Sequence, residues 1–332
     1  KFYKLLSNIY HRFNIFVRYK IKMQKNILIT GGAGFIGSHL SERLMSDGHS
    51  VTVIDNLSTG QRTLLPDDIP FYEGDVGDQN LMDRVFSDHD IDTVLHFAGS
   101  IIVPESVENP LKYYQNNTCV SLNLIQSCIK HGVKNFIFSS TASVYGNNPL
   151  QLMKEEYPTQ PENPYATSKL MTEMMIRDAS TAHGLNFAIL RYFNVAGADH
   201  KGRTGQVKEN ATHLIKVACE TALGLRSGMN VYGTDYDTPD GTCIRDYIHV
   251  CDLASAHAKA LDYLRQGGVT TPVNLGTGRG FSVKEILETA GAVTGRQIPV
   301  SYGPRREGDP PELICDPAKA KAILGWEAGK SA

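Results

Sequence analysis

Tyr165 and Lys169 stand four residues apart in the stretch Tyr165-Ala166-Thr167-Ser168-Lys169. On a helix, that spacing puts both side chains on one face. A phenol has a pKa of about 10 and is a poor base at neutral pH. A nearby ammonium stabilises the phenolate, and a depression of roughly three units corresponds to about 4 kcal/mol. Such a pair can take a proton from a hydroxyl and return it. The same spacing also arises by chance on helix surfaces. It gains meaning from Ser139-Ser140-Thr141, which ends an apolar run at Asn135-Phe136-Ile137-Phe138. Thr141 can bridge a substrate hydroxyl and the Tyr165 oxygen, or it can be an ordinary strand-end cap.

The element that would bring a reactant to this pair is Thr30-Gly31-Gly32-Ala33-Gly34-Phe35-Ile36-Gly37. Asn26-Ile27-Leu28-Ile29 before it has strand length, and Ile36, Leu40 and Leu44 after it recur at helical spacing. Glycines at 31, 34 and 37 permit a tight turn, close approach of backbone to a pyrophosphate and close helix packing. The N–H groups and dipole of the new helix favour phosphate charge. A second strand, Ser50-Val51-Thr52-Val53-Ile54, ends on Asp55, eighteen residues past Gly37. An acid there accepts hydrogen bonds from an adenosine ribose. It would also repel a 2′-phosphate, which favours NAD over NADP. The alternative is a glycine turn kept for packing alone.

Further strands are predicted at 69–73, 93–97, 135–138 and 187–193, with helices at about 117–131 and 164–182. Alternation of this kind predicts an α/β fold, a Rossmann-type doubly wound parallel sheet. The motifs fall at carboxyl ends of strands, where such sheets bind ligands. After Asn194 the rhythm breaks. Residues 196–245 are rich in Gly, Asp and Thr, with one helical stretch near 211–224. A helix near 250–265 and a strand at Val273-Asn274-Leu275 could return to the sheet. The expected division is a dinucleotide domain over 23–195 with a return segment near 250–277. A smaller interleaved α/β domain would comprise 196–249 and 278–332.

Of 33 Lys/Arg and 35 Asp/Glu, seven basic and no acidic residues fall in 1–25. The remainder holds 26 basic against 35 acidic groups, an acidic body that argues against a nucleic-acid surface. Residues 1–22 lack a clear helical face and a signal-peptide cleavage site, so they read as an extension outside the fold. A membrane-surface helix is the sharper alternative. No apolar run approaches membrane-spanning length. Six scattered cysteines without a C-x-x-C pair fit a reduced, cytoplasmic protein with no metal site.

These motifs resemble the extended short-chain dehydrogenase/reductases and, among them, the UDP-glucose 4-epimerases. The resemblance covers about residues 25–326. It rests on TGGAGFIGSHL, VIDNLSTG, HFAG, PESV, FIFSSTASVYG, PYATSKLMTE, LRYFNVAGA, DGTCIRDYIHVCDLA, NLGTG and RREGDPP. It implies a homodimer that holds NAD permanently and interconverts UDP-galactose and UDP-glucose. Tyr165 would remove the sugar O4 proton, Lys169 would tune it and hold the nicotinamide ribose, and Thr141 would orient O4. The dinucleotide contacts implied are Gly31, Gly34, Phe35, Ile36, Gly37, Asp55, Asn56, Asp75, Val76, Phe97, Ala98, Gly99, Asn116, Ser139, Tyr165, Lys169 and Tyr192. Asn194, His213, Leu214, Tyr232, Arg245, Arg306 and Asp309 would line the UDP-sugar site with Thr141 and Tyr165. The two arginines make independent sense as forks for a diphosphate.

The sequence departs from the family in three places. Ser100-Ile101-Ile102 stands where members often carry Lys, which removes a cofactor-side cation. His213 replaces an Asn. The chain stops at Gly325-Trp326-Glu327-Ala328-Gly329-Lys330-Ser331-Ala332 without the usual closing helix, an expected truncation. Leu313 stands where members restricted to plain hexoses tend to carry Tyr and members that take the N-acetyl group something smaller, so N-acetylated UDP-sugars would also have room, unless Leu313 is merely apolar packing and a neighbour closes the space. A nucleotide-sugar 4,6-dehydratase would need an acid pair after Thr141, and Ala142 and Ser143 supply none. A NAD-binding regulator would have no use for Tyr165, Lys169 and Thr141 together.

Overall fold

The computed structural model describes residues 26–147, 152–208, 211–306 and 309–329. The basic segment 1–22 and residues 330–332 lie outside the described residues.

Seven parallel strands form the main sheet: β1 (Asn26–Thr30), β2 (Ser50–Asp55), β3 (Phe71–Glu73), β4 (Ile91–His96), β5 (Asn135–Thr141), β6 (Asn186–Tyr192) and β10 (Thr271–Leu275). Their spatial order is β10-β6-β5-β4-β1-β2-β3. The strands read as near-continuous apolar runs because both faces are covered. Successive residues of a strand point to opposite faces, and the core divides accordingly. Ile27, Ile29, Val53, Leu95 and Ile137 pack with Leu40 and Leu44 of helix Phe35–Ser46 and Leu253 and Leu261 of helix Val250–Arg265. Leu28, Ile54, Val94, Phe136 and Phe138 pack on the other side with Met82, Leu124 and Ile176, from helices Gln79–Asp88, Val120–Lys130 and Pro164–His183.

The chain leaves β1 for β2 and β3 on one side, then for β4, β5 and β6 on the other. The carboxyl ends of β1 and β4 therefore flank a topological switch point, the place where open sheets of this kind leave a ligand crevice. The segment 271–275 does return to this sheet, at its edge and parallel to β6.

Two boundaries move for identifiable reasons. The third strand starts at Phe71 rather than Ile69, since Pro70 has no amide to donate to a ladder. The helix predicted at 117–131 is preceded by a π-helical turn, Tyr114–Cys119, before the α-helix Val120–Lys130. Such turns often mark functional sites, and this one carries Asn116 and Asn117.

Beyond Asn194 the structure holds short strands that local pattern did not signal. β7 (Asn194–Ala196) pairs with β9 (Ile244–His249), which also pairs with β11 (Gly280–Ser282) and β13 (Glu312–Leu313). β8 (Met229–Tyr232) pairs with β12 (Val300–Gly303). Helix Val283–Thr294 starts on a capping box made by Ser282 and Glu285. These elements sit over the carboxyl end of the sheet and supply the second half of the crevice. Among the described residues, no helix is long and apolar enough to cross a membrane.

Candidate active site

The glycine turn is shaped by contact. Gly31 has φ +69°, and a Cβ there would lie 2.6 Å from the Ala98 amide nitrogen. A Cβ on Gly37 would lie 2.4 Å from the Gly31 carbonyl oxygen. Asp55, at the end of β2, fastens this turn from the side. Its Oδ2 accepts the Ala33 N–H at 3.0 Å and its Oδ1 the Leu57 N–H at 2.9 Å. Burial raises the Asp55 pKa, and the two amide hydrogen bonds oppose that rise. The Leu57 bond holds a strained backbone, φ 56°, the one positive φ of a non-glycine residue among those described.

Above the turn lies a cavity of about 310 Å³. All the dinucleotide residues inferred from sequence, Gly31 through Tyr192, stand in its wall, and so do Thr141 and Tyr165. The wall suits a dinucleotide on internal grounds. The N-terminus of helix Phe35–Ser46 opens into it at Gly34 and Phe35. The two oxygens of Asp55 each retain acceptor capacity for ribose hydroxyls.

Tyr165 and Lys169 occupy the first turns of helix Pro164–His183, which Asn163 caps by accepting the Ala166 N–H. Lys169 is only 3% exposed. Its Nζ donates to the Ser139 carbonyl at 3.1 Å and lies 5.0 Å from the Phe138 ring centre. Burial lowers its pKa to about 8, so it remains mostly protonated at neutral pH. Thr141 Oγ1 accepts the Ser143 N–H at 3.1 Å and is hydrogen-bonded to Tyr165. The expected depression of the Tyr165 pKa is absent here. Burial raises it, and the Thr141 bond offsets only part of that rise. The Lys169 ammonium is engaged by the Ser139 carbonyl and the Phe138 ring and does not offset the rise.

A second cavity, of about 440 Å³, adjoins the first and shares Asn194 and His213 with it. It gathers Leu214, Tyr232, Arg245, Arg306 and Asp309. The Arg306 guanidinium lies 4.1 Å from the Tyr232 ring centre, and Arg245 Nη2 is 3.3 Å from Asp309 Oδ1. Adjacent on β9, Asp246 faces the opposite way and accepts the backbone N–H groups of Thr277, Gly278 and Cys315. That anchorage holds the strand that presents Arg245. Gln206 Nε2 is 2.8 Å from His213 Nδ1, which leaves Nε2 of that ring as the donor. Desolvation, and then the charge of Lys208, lower the His213 pKa.

Leu313 stands one layer back. It packs on a cluster of Ala142, Val144, Tyr145, Met153, Phe193 and Cys315, of which Phe193 lines the cavity. Several contributors escaped the sequence reading. Gln206 and Lys208 enter the first cavity, and Arg226, Asn230 and Tyr247 the second. Asn117 is another. Its amide bonds both the Ser100 backbone and Ser168 Oγ, at 2.7–3.0 Å, tying the loop after β4 to the Tyr165 helix. No local spacing announces these residues.

His200, His249 and Cys251 also converge, their ligand atoms within 4.8 Å of one another. His249 Nδ1 already caps helix Val250–Arg265 by accepting the Cys251 N–H, and a helix N-terminus disfavours a cation.

The family model for NAD dependent epimerase/dehydratase proteins matches residues 27–276. The chain belongs to the NAD dependent epimerase/dehydratase family. A UDP-glucose 4-epimerase of Azospirillum brasilense is 55% identical over 300 residues, covering 90% of this chain and 86% of the relative. The structure of UDP-glucose 4-epimerase from Bifidobacterium longum, in complex with NAD+ and UDP, superposes with a TM-score of 0.89 at 41% identity, over 92% of this chain and 94% of that one. The UDP-Glc/GlcNAc 4-epimerase of Campylobacter jejuni superposes with a TM-score of 0.81 at 46% identity, over 93% and 95%. Epimerases and dehydratases of this family would share the dinucleotide cavity, and the residues after Thr141 separate them. Here Ala142 is buried and Ser143 N–H bonds Thr141, with no acid between them.

Proposed function

We propose that this chain is an NAD-dependent UDP-sugar 4-epimerase that interconverts UDP-galactose and UDP-glucose. The observation that carries the reading is the position of Tyr165 and Thr141. They line the dinucleotide cavity, which shares Asn194 and His213 with a second cavity holding Arg245 and Arg306.

In this reading the two arginines fork the UDP diphosphate while the sugar reaches toward Tyr165. Thr141 aligns the sugar 4-hydroxyl, and Tyr165 takes its proton and later returns it. Lys169 would hold the nicotinamide ribose, with its ammonium placed at the carboxyl end of β5 by the Ser139 carbonyl. The residues of the first cavity would hold NAD, which when bound would supply the hydride chemistry at C4. Anchorage of UDP by side chains that do not touch C4 lets the 4-keto sugar turn over without leaving. Residues 23–195 with 250–277 serve the dinucleotide, and 196–249 with 278–332 serve the UDP-sugar.

A homodimer is proposed on the apolar face left open by neighbouring helices. Leu122 of helix Val120–Lys130 and Met171 and Met174 of helix Pro164–His183 are 41%, 39% and 56% exposed. Thr118 Oγ1, in the π-helical turn that leads into helix Val120–Lys130, is 3.9 Å from Met171 Sδ, so this turn and helix Pro164–His183 adjoin at that face. A cytoplasmic setting fits cysteines that form no disulfide among the described residues.

The test is to purify the protein, assay bound nucleotide, and follow UDP-galactose conversion without added NAD. Bound NAD with turnover supports the reading. Active protein that is free of nucleotide and consumes stoichiometric NAD overturns it.

A further inference from the structure

Residues 199–208 lie across helix Phe35–Ser46. Asp199 and Thr204 close this loop through the Asp199 N–H to Thr204 O bond, at 3.1 Å. Arg203 Nη2 braces it against Asp199 Oδ1 at 2.8 Å. Two bonds then fasten the loop to the helix. Thr204 Oγ1 and Ser38 Oγ, both buried, are 2.6 Å apart. Arg203 pairs with Glu42, one turn further along the same helix face. The loop therefore rests on the helix whose N-terminus opens into the dinucleotide cavity.

Past those anchors the chain enters the cavity wall with Gln206 and Lys208. Gln206 is held by His213, as described above. Lys208 stands in the first cavity's wall with Gln206 and His213, and its charge also acts on Glu105 and His213. The first cavity has two ammonium groups in its described wall, Lys169 and Lys208. Lys169 is committed to the Ser139 carbonyl. A dinucleotide brings two phosphate charges into a wall that also contains Asp55 and Asp75.

We propose that residues 199–208 are a retention strap for the dinucleotide, and that Lys208 supplies the cation for its pyrophosphate. The inference rests on the epimerase reading and goes beyond it. It assigns the nucleotide retention which that reading requires to a segment that carries no catalytic group. Because Gln206 of the strap is hydrogen-bonded to His213, which lines both cavities, the strap would also sense the second cavity.

The experiment measures exchange of bound NAD against isotopically labelled NAD in the holoenzyme. Wild type, Lys208→Met, Lys208→Arg and Thr204→Val are compared. A charge-assisted contact corresponds to about ten- to hundredfold in release rate. The expected result is exchange faster by that factor in Lys208→Met, recovered by Lys208→Arg, with faster exchange also in Thr204→Val. Exchange at the wild-type rate in both Lys208→Met and Thr204→Val overturns the strap. A raised KM for UDP-galactose with wild-type exchange in Lys208→Met would place the ammonium on the sugar nucleotide's diphosphate, which also overturns it. The outcomes remain separable from the functional reading. That reading fails if wild type lacks NAD or turnover, whereas the strap fails when wild type has both and the variants release NAD no faster.

Discussion

The guanidinium of Arg191 forks onto the carboxylate of Glu173 in the centre of the protein. Nε is 2.9 Å from Oε1 and Nη2 is 2.5 Å from Oε2, with the two residues 1% and 0% exposed. Ser140 Oγ donates to the same carboxylate at 2.6 Å. Arg191 Nη1 reaches the Tyr145 hydroxyl at 2.9 Å, and that hydroxyl donates to Asn274 Oδ1 at 2.7 Å. One buried network thus joins the helix of Tyr165 and Lys169 to β5, β6 and β10. Removing one partner strands a buried charge, at a cost of about 3–5 kcal/mol. Glu173→Gln should lower unfolding free energy by that amount in denaturant titrations. A loss below about 1 kcal/mol would mean that the pair is no tie.

Tyr165→Phe should keep the fold and bound NAD and lose most turnover. General-base assistance contributes about 10²- to 10⁴-fold. Near-normal kcat would remove Tyr165 from the proton transfer.

Asp55→Ala should weaken the preference for NAD over NADP, because it deletes the charge that repels a 2′-phosphate. It also frees the Ala33 and Leu57 amides that Asp55 holds. Competitive binding of the two nucleotides reports the ratio, and an unchanged ratio would mean that another group reads the ribose.

His96 should make the protein acid-sensitive. Its ring bridges Thr30 Oγ1 at 2.6 Å and Ser121 Oγ at 2.8 Å, and burial pushes its pKa to about 3. Below pH about 6.5 the unfolded chain gains a proton that the folded protein refuses until about pH 3, so stability falls as pH drops through that window. At about pH 4.5 this amounts to roughly 3 kcal/mol. Unfolding free energies of wild type and His96→Gln, compared at about pH 7 and about pH 4.5, should show a smaller acid loss in the variant. Equal losses would clear His96.

Leu313→Tyr should shift sugar preference away from N-acetylated substrates. Leu313 packs on the cluster that includes Phe193, a cavity-lining residue, so a larger side chain there would crowd that cluster. Overfilling a packed site costs roughly 1–3 kcal/mol, about ten- to two-hundredfold in preference. The measurement is kcat/KM for UDP-galactose and UDP-N-acetylgalactosamine in both proteins. No N-acetyl activity in wild type, or an unchanged ratio in the variant, would show that Leu313 is not the gate.

The sequence by itself determined the dinucleotide half. Its signals are local: a strand, a glycine turn and a helix in succession, an acid at the end of the next strand, and a Tyr/Lys pair one helical turn apart. Backbone geometry converts such spacings into positions without help from distant residues. Tertiary structure decided the rest. Arg245 and Arg306 meet because β9, paired with β7 and β13, brings separate segments to one cavity, and no periodicity encodes that meeting. The same holds for Lys208, which reaches the dinucleotide cavity through a loop fastened to Ser38 and Glu42, more than 150 residues earlier in the chain. It holds for Leu313, packed on the cluster that includes Phe193. It holds also for Tyr165, whose pKa depends on burial and on where the Lys169 ammonium points, quantities set by packing and not by the four-residue interval.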